Sequence, residues 1–254
     1  MIYNHPVGGI GNIFFQLAAL WTFAKDNNDE LCLINIDEAI VNLINYPSNP
    51  IPHAEVFKYV FNRFPNITGN IANKIEHPFT YSPIPYKPEH EYIGYFQCEK
   101  YFNHRRNDIL NLLKPDESFI PSIQKYSHLF GNISLHVRRG NYVGWSVFDV
   151  ITKQYYLNAL SILPKDMKVL VFSNDLNWCR QQFIGDRFVF IDEIDYISIY
   201  LMSKMNHHII ANSSFSWWGA WLSEYKNKVV IGPKTWFGAM FDGSDIIPSN
   251  WIKL

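Results

Sequence analysis

Short apolar runs of strand length and longer apolar stretches of helical spacing follow one another through most of this chain. An apolar run at Ile2 to Pro6 predicts a strand, the glycines at Gly8, Gly9 and Gly11 predict a turn, and the apolar positions from Ile13 to Ala24 predict a helix. Leu31 to Ile36 predicts a second strand, so the chain opens as strand, helix, strand. From Asn45 to His90 the periodicity is lost. Pro47, Pro50, Pro52, Pro65, Pro78, Pro83, Pro85 and Pro88 each remove a backbone donor and break up long elements. Beyond them, Ile93 to Phe96 predicts a strand and Glu99 to Leu113 a helix that ends before Pro115.

A second alternating series predicts strands at Ile133 to Val137, Lys168 to Ser173, Phe188 to Ile191, His208 to Ala211 and Val229 to Ile231. Helices are predicted between them at Gln154 to Leu163, Ile197 to Met205 and Ser216 to Tyr225. Such alternation implies a mostly parallel sheet. Pro121 and a polar stretch between Pro115 and Gly131 interrupt the pattern, which divides the chain into residues 1–125 and 126–254. The expected fold class is α/β, two Rossmann-like halves facing a cleft.

Composition narrows the function more by exclusion. The 254 residues are 48% hydrophobic and 17% aromatic, enough to bury a sizeable core. The 22 basic and 23 acidic residues leave a net charge of -1, so no long-range field draws in nucleic acid or an anionic membrane. Any phosphate must be caught by a local cluster. Cys32, Cys98 and Cys179 are odd in number and far apart, which argues against a disulfide framework and suits a reducing compartment as buried thiols. No secretory leader precedes the first strand, and no apolar run approaches the roughly 20 residues that span a bilayer. A cytoplasmic protein without an integral membrane segment is expected, with peripheral membrane contact and oligomeric state left open. Asn66, Asn132 and Asn212 match the glycosylation pattern and are read as chance matches.

Four segments carry candidate chemistry. His136-Val-Arg138-Arg139-Gly-Asn141-Tyr142 ends a predicted strand, where ligands of open α/β sheets gather. Two adjacent guanidiniums suit a diphosphate, although the same pair fits an exposed basic turn. Ser213-Ser214-Phe215-Ser216 stands at a strand-to-helix junction, where hydroxyls and unpaired N–H groups favour an anion. A serine there also caps a helix whose Trp217, Trp218 and Trp221 pack inward. At Gly8-Gly9-Ile10-Gly11-Asn12 the missing side chains let a ligand approach the backbone. As a dinucleotide fingerprint it fails, because Phe14 stands where the third glycine belongs. Asp175, closing Val171-Phe172-Ser173-Asn174, suits either a base or ribose contact or a helix N-cap. No Asp-x-Asp pair, Walker loop or Cys/His cluster is present, so no metal site or cofactor is expected. Adjacent His207 and His208 point apart, and packing explains them better than metal.

Together the segments resemble glycosyltransferase family 11, the alpha-1,2-fucosyltransferases. The matching stretches are Gly8 to Gln16, Gly94-Tyr95-Phe96-Gln97-Cys98-Glu99-Lys100-Tyr101-Phe102, His136 to Tyr142, Phe172 to Cys179 and Ile209 to Leu222, in the family's order. The resemblance implies a GT-B-like architecture. It implies inverting, metal-independent transfer of fucose from GDP-fucose, a nucleotide-sugar donor, to an acceptor glycan, as an alpha-1,2 linkage to galactose. By motif, Arg138 and Arg139 hold the diphosphate with Asn141 beside them, and His136 and Asp175 lie near the nucleoside. Ser213, Ser214, Phe215 and Ser216 form a second phosphate seat, and Gly9, Gly11 and Asn12 approach the sugar. The chain departs from the family at Asn141 and Asn174, where aspartate is usual, and at Ile13, where glutamine is. Those departures keep two other readings open, a transferase for a different nucleotide sugar and a catalytically silent nucleotide-sugar-binding protein. Glu99, Asp149 and Asp175 are the carboxylates nearest the motifs, and none is singled out as a base.

Overall fold

The computed structural model describes residues 1–45, 54–239 and 241–254, so Pro47, Pro50 and Pro52 lie outside the described residues. Two compact units divide the chain, Met1–Asp116 and Glu117–Leu254. The first runs β1 (Ile2–Asn4), α1 (Ile10–Asp26), β2 (Leu31–Ile34), α2 (Ile36–Ile44), α3 (Lys58–Phe61), β3 (Asn66–Ile67), β4 (Lys74–Glu76), β5 (Glu91–Ile93) and α4 (Arg106–Leu112). Its strands pair in parallel in the order β3-β2-β1-β5-β4. The chain leaves β1 in one direction across the sheet and returns to its other side, so the carboxyl end of β1 is a topological switch point, where α/β sheets bind ligands. Ile2, Phe14, Phe15, Leu17, Leu20, Leu33 and Tyr92 are fully buried around it.

The second unit contains α5 (Ile120–Gln124), β6 (Ile133–Val137), α6 (Lys153–Ile162), β7 (Val169–Ser173), α7 (Leu176–Gln182), β8 (Phe188–Ile191), α8 (Asp195–Ser203), β9 (His207–Ile209), α9 (Ser214–Trp221), β10 (Val230–Gly232) and β11 (Ile252–Lys253). The parallel order is β11-β10-β9-β6-β7-β8, with Leu135 of β6 opposite Val171 on one side and Ile209 on the other. This is the dinucleotide-fold strand order, and its switch point falls between β6 and β9. Both units are therefore α/β on parallel sheets, as the GT-B-like reading expects. Residues 117–125, expected with the first half, belong to the second unit: α5 packs on α8, and Phe119 and Tyr196 meet with ring centroids 4.8 Å apart.

Where elements depart from the periodicity, single side chains account for it. The strand expected over 31–36 stops at Ile34 because Asn35 is left-handed, with φ 51°, and its amide exchanges two 2.9 Å hydrogen bonds with the Gly69 backbone. The helix expected over 99–113 is two 3-10 turns followed by α4, interrupted at Phe102, which buries its ring against Phe15. The strand expected over 93–96 ends at Ile93, and Phe96 turns left-handed, with φ 51°. The helix expected over 216–225 runs from Ser214 to Trp221, and Lys228 Nζ reaches the Ala220 and Ser223 carbonyls at 2.8 and 2.7 Å, satisfying the C-terminus. A further strand, β11, follows the one expected to be last. All three cysteines are buried free thiols, and burial pushes Cys179 up to about 11. Asn132 and Asn212, two of the glycosylation matches, spend their amides on backbone groups. Among the described residues, no helix is long and apolar enough to cross a membrane.

Tyr155 of α6 locks the sheet near the switch point. Its hydroxyl sits 2.7 Å from the Ile210 carbonyl and 3.0 Å from that of Ile231, joining the chain just past β9 to β10. Burial pushes its pKa far above the usual phenol value, so it stays a donor at all working pH. Tyr155→Phe leaves both buried carbonyls without that donor. A loss of about 1–2 kcal/mol in urea unfolding is expected, with an unchanged m-value.

Candidate functional site

Three loops leave the carboxyl edge of the second sheet side by side, after β6, β7 and β9, and their side chains interlock. Arg139 is fixed on every side: its Nε lies 3.0 Å from Asp175 Oδ2, its guanidinium stacks over Trp178 at 4.3 Å, and its backbone N–H donates to Asn174 Oδ1 at 2.9 Å. Asp175 does two jobs, because its Oδ1 accepts the Trp178 N–H at 3.0 Å and caps α7. The N-cap reading of Asp175 is thus what the fold displays, with the arginine pair added. Gly140 makes this possible. Its φ is +61°, and a Cβ there would stand 2.5 Å from Asn174 Nδ2.

Arg138 is held differently. Its Nη2 donates to Asn141 Oδ1 at 2.9 Å, and its guanidinium lies 4.9 Å over the Tyr142 ring, itself stacked on Phe148 at 4.5 Å. An asparagine oxygen accepts this bond more weakly than a carboxylate would and returns no negative charge. Of the two adjacent arginines, Arg139 has a carboxylate partner and Arg138 has an amide. The Tyr156 hydroxyl bonds the Arg138 backbone and steadies its base.

His136 lies on β6, 4% exposed, with Nδ1 2.9 Å from Ser216 Oγ and its ring 5.1 Å from that of Phe215. Burial, then the Arg138 charge, lower its pKa to about 3, so it is neutral at working pH. Its role is to brace the first turn of α9. That helix opens at Ser213, an extended N-cap, and carries Ser214, Phe215 and Ser216 in its first turn. Trp217, Trp218 and Trp221 are buried behind it, and Gly219 lets it approach α8 closely, since a Cβ would stand 2.8 Å from Met202 Cβ. Inward tryptophans and a presented helix start coexist here. Asn212, named in the sequence only as a chance glycosylation match, donates through its Nδ2 to the Phe148 carbonyl at 2.9 Å and the Trp236 carbonyl at 3.0 Å, tying two loops to the start of α9.

The structure therefore brings together His136, Arg138, Arg139, Asn141, Asp175 and Ser213 to Ser216 in the second unit. Gly9, Gly11 and Asn12 stand at the switch point of the first. Gly9 is the N-cap of α1, Gly11 is buried, and Asn12 Oδ1 accepts from Gln97 Nε2 at 2.8 Å. Gly8, which pattern alone did not separate from its neighbours, is the residue that must be glycine: φ is +83°, and a Cβ would stand 2.7 Å from Asn12 Nδ2. Tyr142, Asn174 and Trp178 were also missed as partners of the arginines. All three lie within the quoted motifs, but only the fold shows which arginine each one serves. Among the described residues, no three His, Cys, Asp or Glu side chains come together.

The chain is similar to known proteins over most of its length. A family model described as glycosyl transferase family 11 matches residues 10–254. An alpha-1,2-colitosyltransferase of Escherichia coli is 27% identical over 289 residues, covering 97% of this chain and 96% of its own. An O-antigen biosynthesis glycosyltransferase, WbnK, of Escherichia coli is 30% identical over 182 residues, covering 64% of this chain and 60% of its own. A putative galactoside 2-alpha-L-fucosyltransferase, svh-11, of Caenorhabditis elegans is 22% identical over 292 residues, covering 96% of this chain and 76% of its own.

The depressed pKa of His136 makes a signed prediction. The unfolded chain takes up a proton near pH 6.5 and the folded chain does not, so this histidine costs no stability above pH 6.5. Stability falls as pH drops below that value, by roughly 2 kcal/mol per such histidine at pH 5. Buried His208, whose pKa is also pushed far down by burial, acts in the same direction. Urea titrations at pH 7.5 and 5 should show the loss, and it should shrink in His136→Asn.

Proposed function

Because the chain belongs to glycosyltransferase family 11, we propose that this glycosyltransferase moves L-fucose from GDP-fucose to a hydroxyl of an acceptor glycan, inverting the anomeric carbon and forming an alpha-1,2 linkage to galactose. The observation that carries the reading is the pair Arg138 and Arg139 at the switch point of the second sheet, on the same edge as the first turn of α9. Arginine forks and helix N–H groups are the chemistry that receives a leaving diphosphate. Two relatives, one named a putative galactoside 2-alpha-L-fucosyltransferase and the other an alpha-1,2-colitosyltransferase, support the linkage.

In the proposed reaction the acceptor hydroxyl attacks the fucosyl carbon as the GDP oxygen leaves from the opposite face, through a cation-like transition state related to that of glycoside hydrolysis. Negative charge grows on the departing diphosphate, and fixed donors aimed there stabilise the transition state more than the bound donor. Arg139, already oriented by Asp175 and Trp178, needs little reorganisation. Arg138 brings a charge its asparagine partner does not offset. Transfer is proposed to need no bound metal, since these groups supply the neutralisation. Asp175 caps α7 and pairs with Arg139, and Asp149 Oδ2 accepts the Gly144 N–H at 2.9 Å, so both carboxylates are engaged in holding the site's loops. We place the protein in the cytoplasm, in keeping with its three free thiols, with peripheral contact with a membrane where its acceptor is lipid-borne. One observation favours a second donor: the E. coli relative that covers nearly the whole chain is named for colitosyl transfer.

Released nucleotide and transferred sugar, measured in EDTA with GDP-fucose, GDP-mannose and UDP-sugars, decide the donor; turnover of GDP-fucose is expected, and turnover of another donor alone overturns the assignment. Arg138→Ala and Arg139→Ala should each lower the rate by about a hundredfold or more. Wild-type rates in both would refute the diphosphate role. Asn141→Asp gives Arg138 a counter-charge and should weaken GDP binding about threefold to tenfold by calorimetry.

A further inference from the structure

At the carboxyl edge of the first sheet, the loops after β4 and β5 build a ring cluster that the reaction above does not use. Phe79 and Tyr81 follow β4 and are 40% and 38% exposed, a large apolar area to leave in water on one loop. They are not loosely placed. The Tyr101 hydroxyl lies 3.0 Å from the Ser82 N and 3.2 Å from the Ser82 carbonyl, pinning their loop against the one after β5. His77 Nε2 sits 3.2 Å from both the Ser82 carbonyl and its Oγ. Tyr81 leans on Tyr101 at 4.7 Å and carries Lys100 Nζ over its ring at 5.0 Å, while Phe79 meets Tyr95 at 5.5 Å.

The loop after β5 is divided by the left-handed Phe96. Tyr95 before it joins the ring cluster, and Gln97 after it donates to Asn12 beside the glycine turn. A non-glycine residue held in that conformation costs of order 1–3 kcal/mol, and such strain gathers at ligand sites. The cluster thus shares one rigid loop with the switch point of the first sheet.

We propose that Phe79, Tyr81 and Tyr95 form a stacking shelf for a pyranose ring of the acceptor glycan, with Ser82 and Lys100 at its rim to meet hydroxyls. A galactose-type ring has one face of C–H groups and a rim of hydroxyls. Two exposed rings, Phe79 and Tyr81, and the half-buried Tyr95, held in place and edged by polar groups, match both halves of that ligand. The shelf rests on the transferase reading above, and the two fail separately: donor turnover and GDP binding test that reading, and acceptor behaviour tests the shelf.

The experiment uses the full chain at saturating donor, with galactose, lactose and N-acetyllactosamine as probes. Phe79→Ala and Tyr81→Ala should each raise the KM of a used probe about tenfold, as expected when one aromatic stacking partner is lost. Calorimetric GDP affinity should stay within about twofold of wild type, a readout that misfolding would move. Tyr101→Phe keeps the ring and removes the pin, and should raise the same KM by about threefold, the cost of one hydrogen bond. Saturation-transfer NMR, which needs no turnover, should show probe contact that Tyr81→Ala abolishes. The shelf is overturned by unchanged KM in the alanine variants, by GDP affinity falling in step with KM, or by no saturation transfer to any probe.

Discussion

The second unit depends on the parallel pairing of β6 between β7 and β9. Because Leu135 pairs with Val171 on one side and Ile209 on the other, three strand ends finish on the same edge. Residues far apart in sequence thereby come within hydrogen-bond reach: Arg139 with Asp175, and His136 with Ser216. Side chains alternate across a strand, so a slip of one residue in β6 would turn His136 from the buried face that holds α9. β6 is fully buried and holds this register through apolar packing of Ile133, Leu135 and Val137 on one face and through hydrogen bonds of Ser134 to His208 and His136 to Ser216 on the other.

Within that frame, adjacent arginines have been given unlike surroundings. Arg139 sits in a closed set of contacts with a carboxylate, an indole and a loop amide, which fixes its direction while the carboxylate offsets part of its field. Arg138 is oriented by an amide and a phenol ring and keeps its charge. One side chain is thus set for geometry and its neighbour for electrostatics. Asn212 couples this pair to the rest of the edge, because the carbonyl it holds belongs to Phe148, the ring that backs Tyr142.

Much of this was legible in the chain. The strand at 133–137 follows from the alternation of Ile133, Leu135 and Val137 with polar residues, and the strand at 188–191 from a run of aromatic and β-branched residues. The Arg-Arg pair and the serine run were visible as residue types unusual at strand ends. What periodicity hides is set by single side chains with distant partners. Asn35 ends β2 by imitating a backbone pairing with Gly69, and Phe102 breaks a helix of good propensity because its ring has a place against Phe15. Gly8 illustrates the same limit: three glycines look alike in sequence, and the one that must lack a Cβ is identified by where Asn12 lies.

The strand order has a consequence for how the chain is made. β6 is the first strand of its sheet to be synthesised and also a central one, so β7 covers one of its edges early while the other waits for residues 207–209. Until then the growing polypeptide carries a strand edge whose backbone N–H and C=O groups are unpaired, the kind of surface that templates aggregation. A nascent chain stalled before β9 would present that edge to its neighbours, and its yield would depend on how quickly elongation supplies the missing partner.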